Sequence, residues 1–162
     1  MVVLGIDPGC RYAGFGIIRK QQNMILIVEH GCLKLNPTKP LTERVALFHD
    51  FFAQKIVEHT ITDLALETPF LGKNAQNFLK LGYLRGILYL LSHKHNLVLH
   101  EFSPTEVKQQ VTGFGGASKD QVARVVSRLF PRINPVFEKE DISDALAVTL
   151  CGIWHSKRYA AK

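Results

Sequence analysis

The sequence predicts an α/β fold built on a five-stranded mixed sheet with helices on both faces. Three observations carry that expectation. A wholly apolar run, Val2-Val3-Leu4-Gly5-Ile6, stops at Asp7-Pro8-Gly9, as a central strand buried on both faces does. Two further apolar segments follow at hairpin spacing, and helix-like and strand-like segments alternate after them. Helical crossovers return the chain in the same direction, so the later strands run parallel to the first while the hairpin runs antiparallel.

The hairpin strands are Ala13 to Ile18 and Met24 to Val28, separated by the polar stretch Arg19-Lys20-Gln21-Gln22-Asn23. Beyond the loop Asn36-Pro37-Thr38-Lys39-Pro40, Val45, Phe48, Phe52 and Ile56 recur at helical spacing, with Glu43, Arg44, Asp50 and Lys55 on the wet face. Asp63 to Glu67 reads as a short strand broken by Pro69, Asn77 to Ser92 as a second helix, and Leu97 to His100 as the fifth strand. Ser103-Pro104-Thr105-Glu106 combines an N-cap, a proline in the first helical position and an acid placed for a capping box, which predicts a helix to about Thr112. Gly113, Gly115 and Gly116 break the chain there. Ser118 caps a helix through Leu129, Pro131 and Pro135 end it, and a last helix begins near Asp141. No repeat, low-complexity tract or linker interrupts this run, so residues 1–162 read as one domain.

A chain of 162 residues buries roughly 70% of its unfolded surface. With 46% hydrophobic and 21% charged residues it has the balance of a globular protein, which excludes a disordered chain. The 20 Lys and Arg against 14 Asp and Glu leave a charge of +6, a field that favours polyanions. Cys10, Cys32 and Cys151 are too few and too scattered for a disulfide scaffold or a zinc knuckle, and they suit a reducing compartment. The first residues lack the basic region of a secretory signal, and Leu79 to Leu91 is short and interrupted by Lys80 and Arg85. The expected location is cytoplasmic.

The acids carry the chemistry. Asp7 and Glu67 each end an apolar strand, and neighbouring strands would set their carboxylates side by side. Asp141 and Asp144 share a helical face bordering the apolar stripe Ile142, Ala145, Leu146, Thr149 and Ile153. Taken singly, Asp7 suits a turn with Pro8-Gly9, Glu67 a solvated strand end, and Asp141 an N-cap with Asp144 in the first turn. Such separate duties do not require the four to converge. Gathered at a half-buried site they repel one another, and divalent cations relieve that repulsion. Oxygen ligands without clustered His or Cys favour Mg²⁺ or Mn²⁺, and two such ions about 4 Å apart suit in-line hydrolysis of a phosphodiester, with Asp7 bridging them.

These motifs resemble the RuvC-type Holliday-junction resolvases. The matching blocks are Gly5-Ile6-Asp7-Pro8-Gly9 with Gly14-Phe15-Gly16, Glu67 with Phe70 and Gly72-Lys73-Asn74-Ala75, and Leu81-Gly82 with Arg85-Gly86. They continue with Ser103-Pro104, Val107-Lys108, Thr112-Gly113, Lys119 with Gln121-Val122, and Asp141 to Ala147. The chain departs from the pattern at Cys10, where Ser or Thr is expected, and at Tyr83. The resemblance implies a ribonuclease H-like fold, a homodimer, and metal-dependent paired nicking of a four-way DNA junction in recombination and repair. It also implies cooperation with the RuvA–RuvB branch-migration complex, and catalytic metal ligation by Asp7, Glu67, Asp141 and Asp144.

By the same resemblance Phe70 stacks on an unpaired base beside Lys73 and Asn74, while Lys108 and Lys119 neutralise phosphates around the glycine loop. Gly82 and Gly86 leave a small-residue groove beside Leu79, Leu84, Ile87 and Leu91, which suits either pairing of this helix with a symmetry mate or packing on the sheet. Three other functions fit parts of the pattern: a nucleotide-binding domain of the actin or sugar-kinase type, a non-catalytic junction-binding module, and a nuclease acting on structured RNA.

Overall fold

The apolar N-terminal run forms the middle strand of the sheet. The computed structural model describes the backbone of residues 1–22, 24–69, 75–131 and 140–159, and their side chains except those of 75, 77, 140, 141 and 156–159. In chain order the elements are β1 (Val2–Asp7), β2 (Tyr12–Gln21), β3 (Met24–Lys34), α1 (Leu41–Glu58), β4 (Asp63–Glu67), α2 (Ala75–Lys94), β5 (Val98–Phe102), α3 (Pro104–Thr112), α4 (Lys119–Leu129) and α5 (Glu140–Tyr159). The five strands lie in the order β3-β2-β1-β4-β5. β1, β2 and β3 form the antiparallel meander, and β1, β4 and β5 run parallel through the crossovers α1 and α2.

Each face of the sheet is sealed by its own core. On one side Leu4, Ile6, Ile17, Leu64 and Leu66 pack against Phe48 and Phe52 of α1 and Leu84, Leu88 and Leu91 of α2. On the other, Val3, Ile18 and Ala65 meet Val107 and Val111 of α3, Val122 and Val126 of α4, and Leu146, Val148 and Leu150 of α5. Both short helices start as their sequences dictate. The Ser103 and Ser118 hydroxyls accept from the main-chain N–H groups of Glu106 and Gln121, whose side chains reach back to the cap N–H groups.

β3 runs six residues beyond its expected end at Val28. A register shift between Ile17 and Ile18 absorbs one residue of β3 and breaks the alternation a sequence reader relies on. Glu29 then turns towards α1, where its carboxylate lies 2.7 Å from both Lys55 Nζ and His59 Nε2. Burial works against its charge, yet hydrogen bonds from Lys55 and His59 outweigh that and hold its carboxyl below the ordinary value. α2 has two faces. Leu84 and Leu91 are buried on the sheet and Ile87 packs beside them, whereas Leu79, Tyr83 and Leu90 are exposed. A Cβ at Gly82 or Gly86 would meet nothing within 4 Å. Of the leucines and isoleucine expected beside the glycine groove, only Leu79 is exposed, because the others are needed by the core. Among the described residues no helix is long and apolar enough to cross a membrane.

Helix α5 crosses β1 and β2 at close range. Gly5 and Gly16 face each other in the strand register. A Cβ on Gly5 would fall 2.0 Å from Thr149 Oγ1 and 2.7 Å from the Ala145 carbonyl oxygen, and one on Gly16 would fall 2.6 Å from Leu146 Cδ2. Bare strands at the crossing therefore set the height of α5. Gly5→Ala is expected to destabilise the chain by about 1–3 kcal/mol through overpacking. A thermal melt of the variant beside the wild type reads this directly as a lower Tm.

Candidate active site

The carboxyl end of β1 delivers Asp7, and the parallel register that pairs Ile6 with Leu66 brings Glu67 alongside it at the end of β4. Helix α5 carries Asp144 to the same place. Asp7, Glu67 and Asp144 line one cleft of roughly 240 Å³, together with Lys108 of α3, Lys119 of α4 and Arg85 of α2. The remaining wall includes Leu81, Val107, Val122 and Ala147. Three of the four acids expected to converge therefore do so, joined by Lys108 and Lys119 of the three expected lysines. Asp141 lies in the first turn of α5, inside the helix rather than at its cap, and its side chain is outside the described residues. Phe70, Lys73 and Asn74 also fall outside the described residues.

The electrostatics of the cleft follow from its apolar walls and crowded charges. Burial pushes the Glu67 carboxyl above its ordinary value and the negative charge of Asp144 adds to the rise, while Lys119, Lys108 and Arg85 oppose it. Lys119 Nζ lies 2.7 Å from Asp144 Oδ2, with the ammonium largely exposed and the carboxylate largely covered. The acids thus draw positive charge from the protein itself. An all-oxygen donor set under mutual repulsion fits a hard divalent cation. The Glu29, Glu58 and His59 group also brings three ligand atoms within 4.8 Å of one another, on β3 and α1. Lys55 Nζ already occupies it, 2.7 Å from Glu29 and 3.4 Å from Glu58, so that cluster is an internal ion-pair network.

Arg85 has a part that the sequence reading did not assign. It is 4% exposed, donates to the main-chain oxygen of Glu67, and pairs with the Glu101 carboxylate, which also accepts from Tyr89 Oη at 2.8 Å. It thereby clamps the end of β4 from beneath and holds Glu67 in the cleft. Its sequence signal was a lone arginine inside an apolar helix. Thr68 donates its N–H to the Phe102 carbonyl at 2.7 Å, extending the β4–β5 pairing past Glu67.

A five-stranded mixed sheet with carboxylates at the ends of two adjacent parallel strands, faced by an acidic helix, places the chain among proteins of the ribonuclease H-like fold. A family model described as crossover junction endodeoxyribonuclease RuvC matches residues 3–152. The chain belongs to this RuvC family. It is 42% identical over 153 residues to the RuvC of Pelodictyon phaeoclathratiforme, covering 94% of this chain and 80% of that one. Against the RuvC of Syntrophotalea carbinolica it is 40% identical over 151 residues, covering 93% and 92%. Among solved structures, Thermus thermophilus RuvC superposes with a TM-score of 0.87 at 25% identity, covering 98% of this chain and 96% of that one. T. thermophilus RuvC in complex with Holliday junction substrate has a TM-score of 0.90 at 24% identity and the same coverage. A match to this nuclease family across nearly the whole chain does not favour the actin or sugar-kinase alternative.

The raised Glu67 value has a consequence for stability with a definite sign. Ionised Glu67 is less favoured in the folded chain than in the unfolded one, so its contribution is lost as pH rises through its folded pKa. In chelator-containing buffer Glu67→Gln should melt like the wild type well below the ordinary glutamate range and above it at neutral pH. Thermal melts from pH ~3 to ~8 measure the crossover.

Proposed function

We propose that this chain, as a single ribonuclease H-like domain over residues 1–162, resolves four-way DNA junctions by paired nicks in homologous recombination and repair. The carrying observation is the convergence of Asp7, Glu67 and Asp144 with Lys108 and Lys119 in one cleft of a chain that belongs to the RuvC family. Asp141, one helical turn before Asp144, completes the catalytic set in this reading. The four acids are the metal ligands, with Mg²⁺ as the expected ion and Mn²⁺ as its substitute. Two bound ions supply the positive charge that an attacking water and a departing phosphodiester oxygen require.

The chain's own residues do the positioning. Asp7 and Glu67 are set by strand pairing and Asp144 by the height of α5, so the acids keep their spacing before any ligand arrives. Lys119 pairs with Asp144 and, with Lys108 in the same cleft, would meet the phosphates of a bound strand. Phe70, Lys73 and Asn74 contact the junction on the strength of the family resemblance. The same resemblance supports engagement with the RuvA–RuvB branch-migration complex. Cys10, Cys32 and Cys151 stand as thiols rather than disulfides, which favours a cytoplasmic setting.

A homodimer brings two clefts to two strands of the junction. Support comes from the outward face of α2, where Leu79, Tyr83 and Leu90 surround the open space over Gly82 and Gly86. Gly86→Leu fills that space without touching the core. Sedimentation at micromolar concentration is expected to shift from dimer to monomer with the melting temperature of the protomer unchanged. A wild-type monomer under those conditions refutes the pairing.

Cleavage of an end-labelled mobile junction, beside plain duplex and with or without Mg²⁺, tests the activity. The wild type should nick the junction in symmetric pairs only with the divalent ion present. Asp7→Asn should abolish nicking yet bind the junction at least as tightly, because one negative charge facing phosphate has gone. Loss of binding together with cleavage makes Asp7 a structural residue.

A further inference from the structure

The loop between α3 and α4 presents an aromatic ring to solvent under unusual restraint. Phe114 is 64% exposed, whereas the other described phenylalanines are buried or half-buried. The loop leaves α3 through Gly113, whose φ of 80° is the left-handed conformation that favours glycine. Gln109 then braces it twice: its amide donates to the Gly113 carbonyl at 2.8 Å, and its amide oxygen accepts from the Gly115 N–H at 2.9 Å. The Thr112 hydroxyl oxygen accepts from the Phe114 N–H at 3.1 Å, and the Phe114 carbonyl accepts from the Ala117 N–H at 3.1 Å. The ring itself is seated over Gly116, where a Cβ would lie 2.6 Å from Phe114 Cζ. Six residues before Phe114 stands Lys108 and five after it Lys119, and both line the acidic cleft.

Burial gains nothing from a ring left this open, yet its backbone is held and a glycine is kept beneath it. A pre-ordered aromatic loses little freedom when a flat partner settles on it, and every nucleobase presents such a face. We infer that Phe114 is a nucleotide-stacking residue of this site, contacting a base of the DNA strand whose phosphates meet Lys108 and Lys119. This rests on the reading of the cleft as a DNA-cleaving site and adds a contact to it.

The test uses the full-length protein and a four-way junction with a 2-aminopurine substituted in turn at nucleotides flanking the cut. Wild type is compared with Phe114→Ala, Phe114→Trp and Gly116→Ala for binding, base fluorescence and cleavage. Phe114→Ala is expected to weaken junction binding by roughly five- to hundredfold, the range of one base–aromatic stack. The slope of affinity against salt should stay unchanged, since no phosphate contact is lost. Quenching of a flanking 2-aminopurine should disappear in Phe114→Ala and return in Phe114→Trp. Gly116→Ala, which pushes the ring off its seat, should give an intermediate loss. Unchanged affinity and quenching in Phe114→Ala, while the wild type binds and cleaves, overturn the inference and leave the cleft reading standing. Weakened binding that Trp does not restore overturns it too, by making the residue a prop for the loop. A wild type that neither binds nor cleaves the junction removes the cleft reading, and the stacking role with it.

Discussion

Helix α5 reaches the ends of β1 and β4 because the strands beneath it carry no side chain at the crossing. Gly5 and Gly16 sit opposite one another, and Thr149 comes down onto them, its hydroxyl 3.3 Å from the Gly16 carbonyl and 2.6 Å from that of Ala145. Any larger residue there would lift the helix and carry Asp144 away from Glu67. Gly152 repeats the device further along α5, where a Cβ would approach Val3 and Ala65 within about 3.0 Å. Close packing of a helix on a sheet thus decides the distance between two carboxylates far apart in sequence, which links interior packing to surface chemistry.

The cleft holds like charges at a cost in stability and surrounds them with cations that limit it. Burial and the Asp144 charge oppose ionisation of Glu67, while Lys119, Lys108 and Arg85 favour it. Arg85 works differently from the lysines. A guanidinium this buried is tolerable only when its donors are satisfied, and here they are spent on the Glu67 main chain, Glu101 and Tyr89. Its charge stays beneath the site as a fixed counterweight, whereas the ammonium of Lys119 is largely exposed and pairs with Asp144 at the rim.

The surfaces around the cleft divide between rigid and open parts. α2 spends one face on the core and keeps the other exposed over two glycines, while its Arg85 reaches the end of β4. The α3–α4 loop is held by the side-chain hydrogen bonds of Gln109 and by burial of Ala117 in the core.

What is local was legible in the residues themselves. Apolar runs ended by Asp7 and Glu67, the serine caps at Ser103 and Ser118, and the alternation of strands and helices each depend on neighbours in the chain, so periodicity and capping chemistry alone determined them. The mixed sheet followed, because crossover helices force parallel return. Tertiary structure decided the rest. β3 outruns its apolar stretch because Glu29 finds Lys55 and His59 on α1, Arg85 earns its place from a strand end 18 residues away, and Lys119 meets Asp144 across 25 residues. Those contacts are set by how closely helices lie on the sheet, a property of packed volumes that no single stretch of sequence contains.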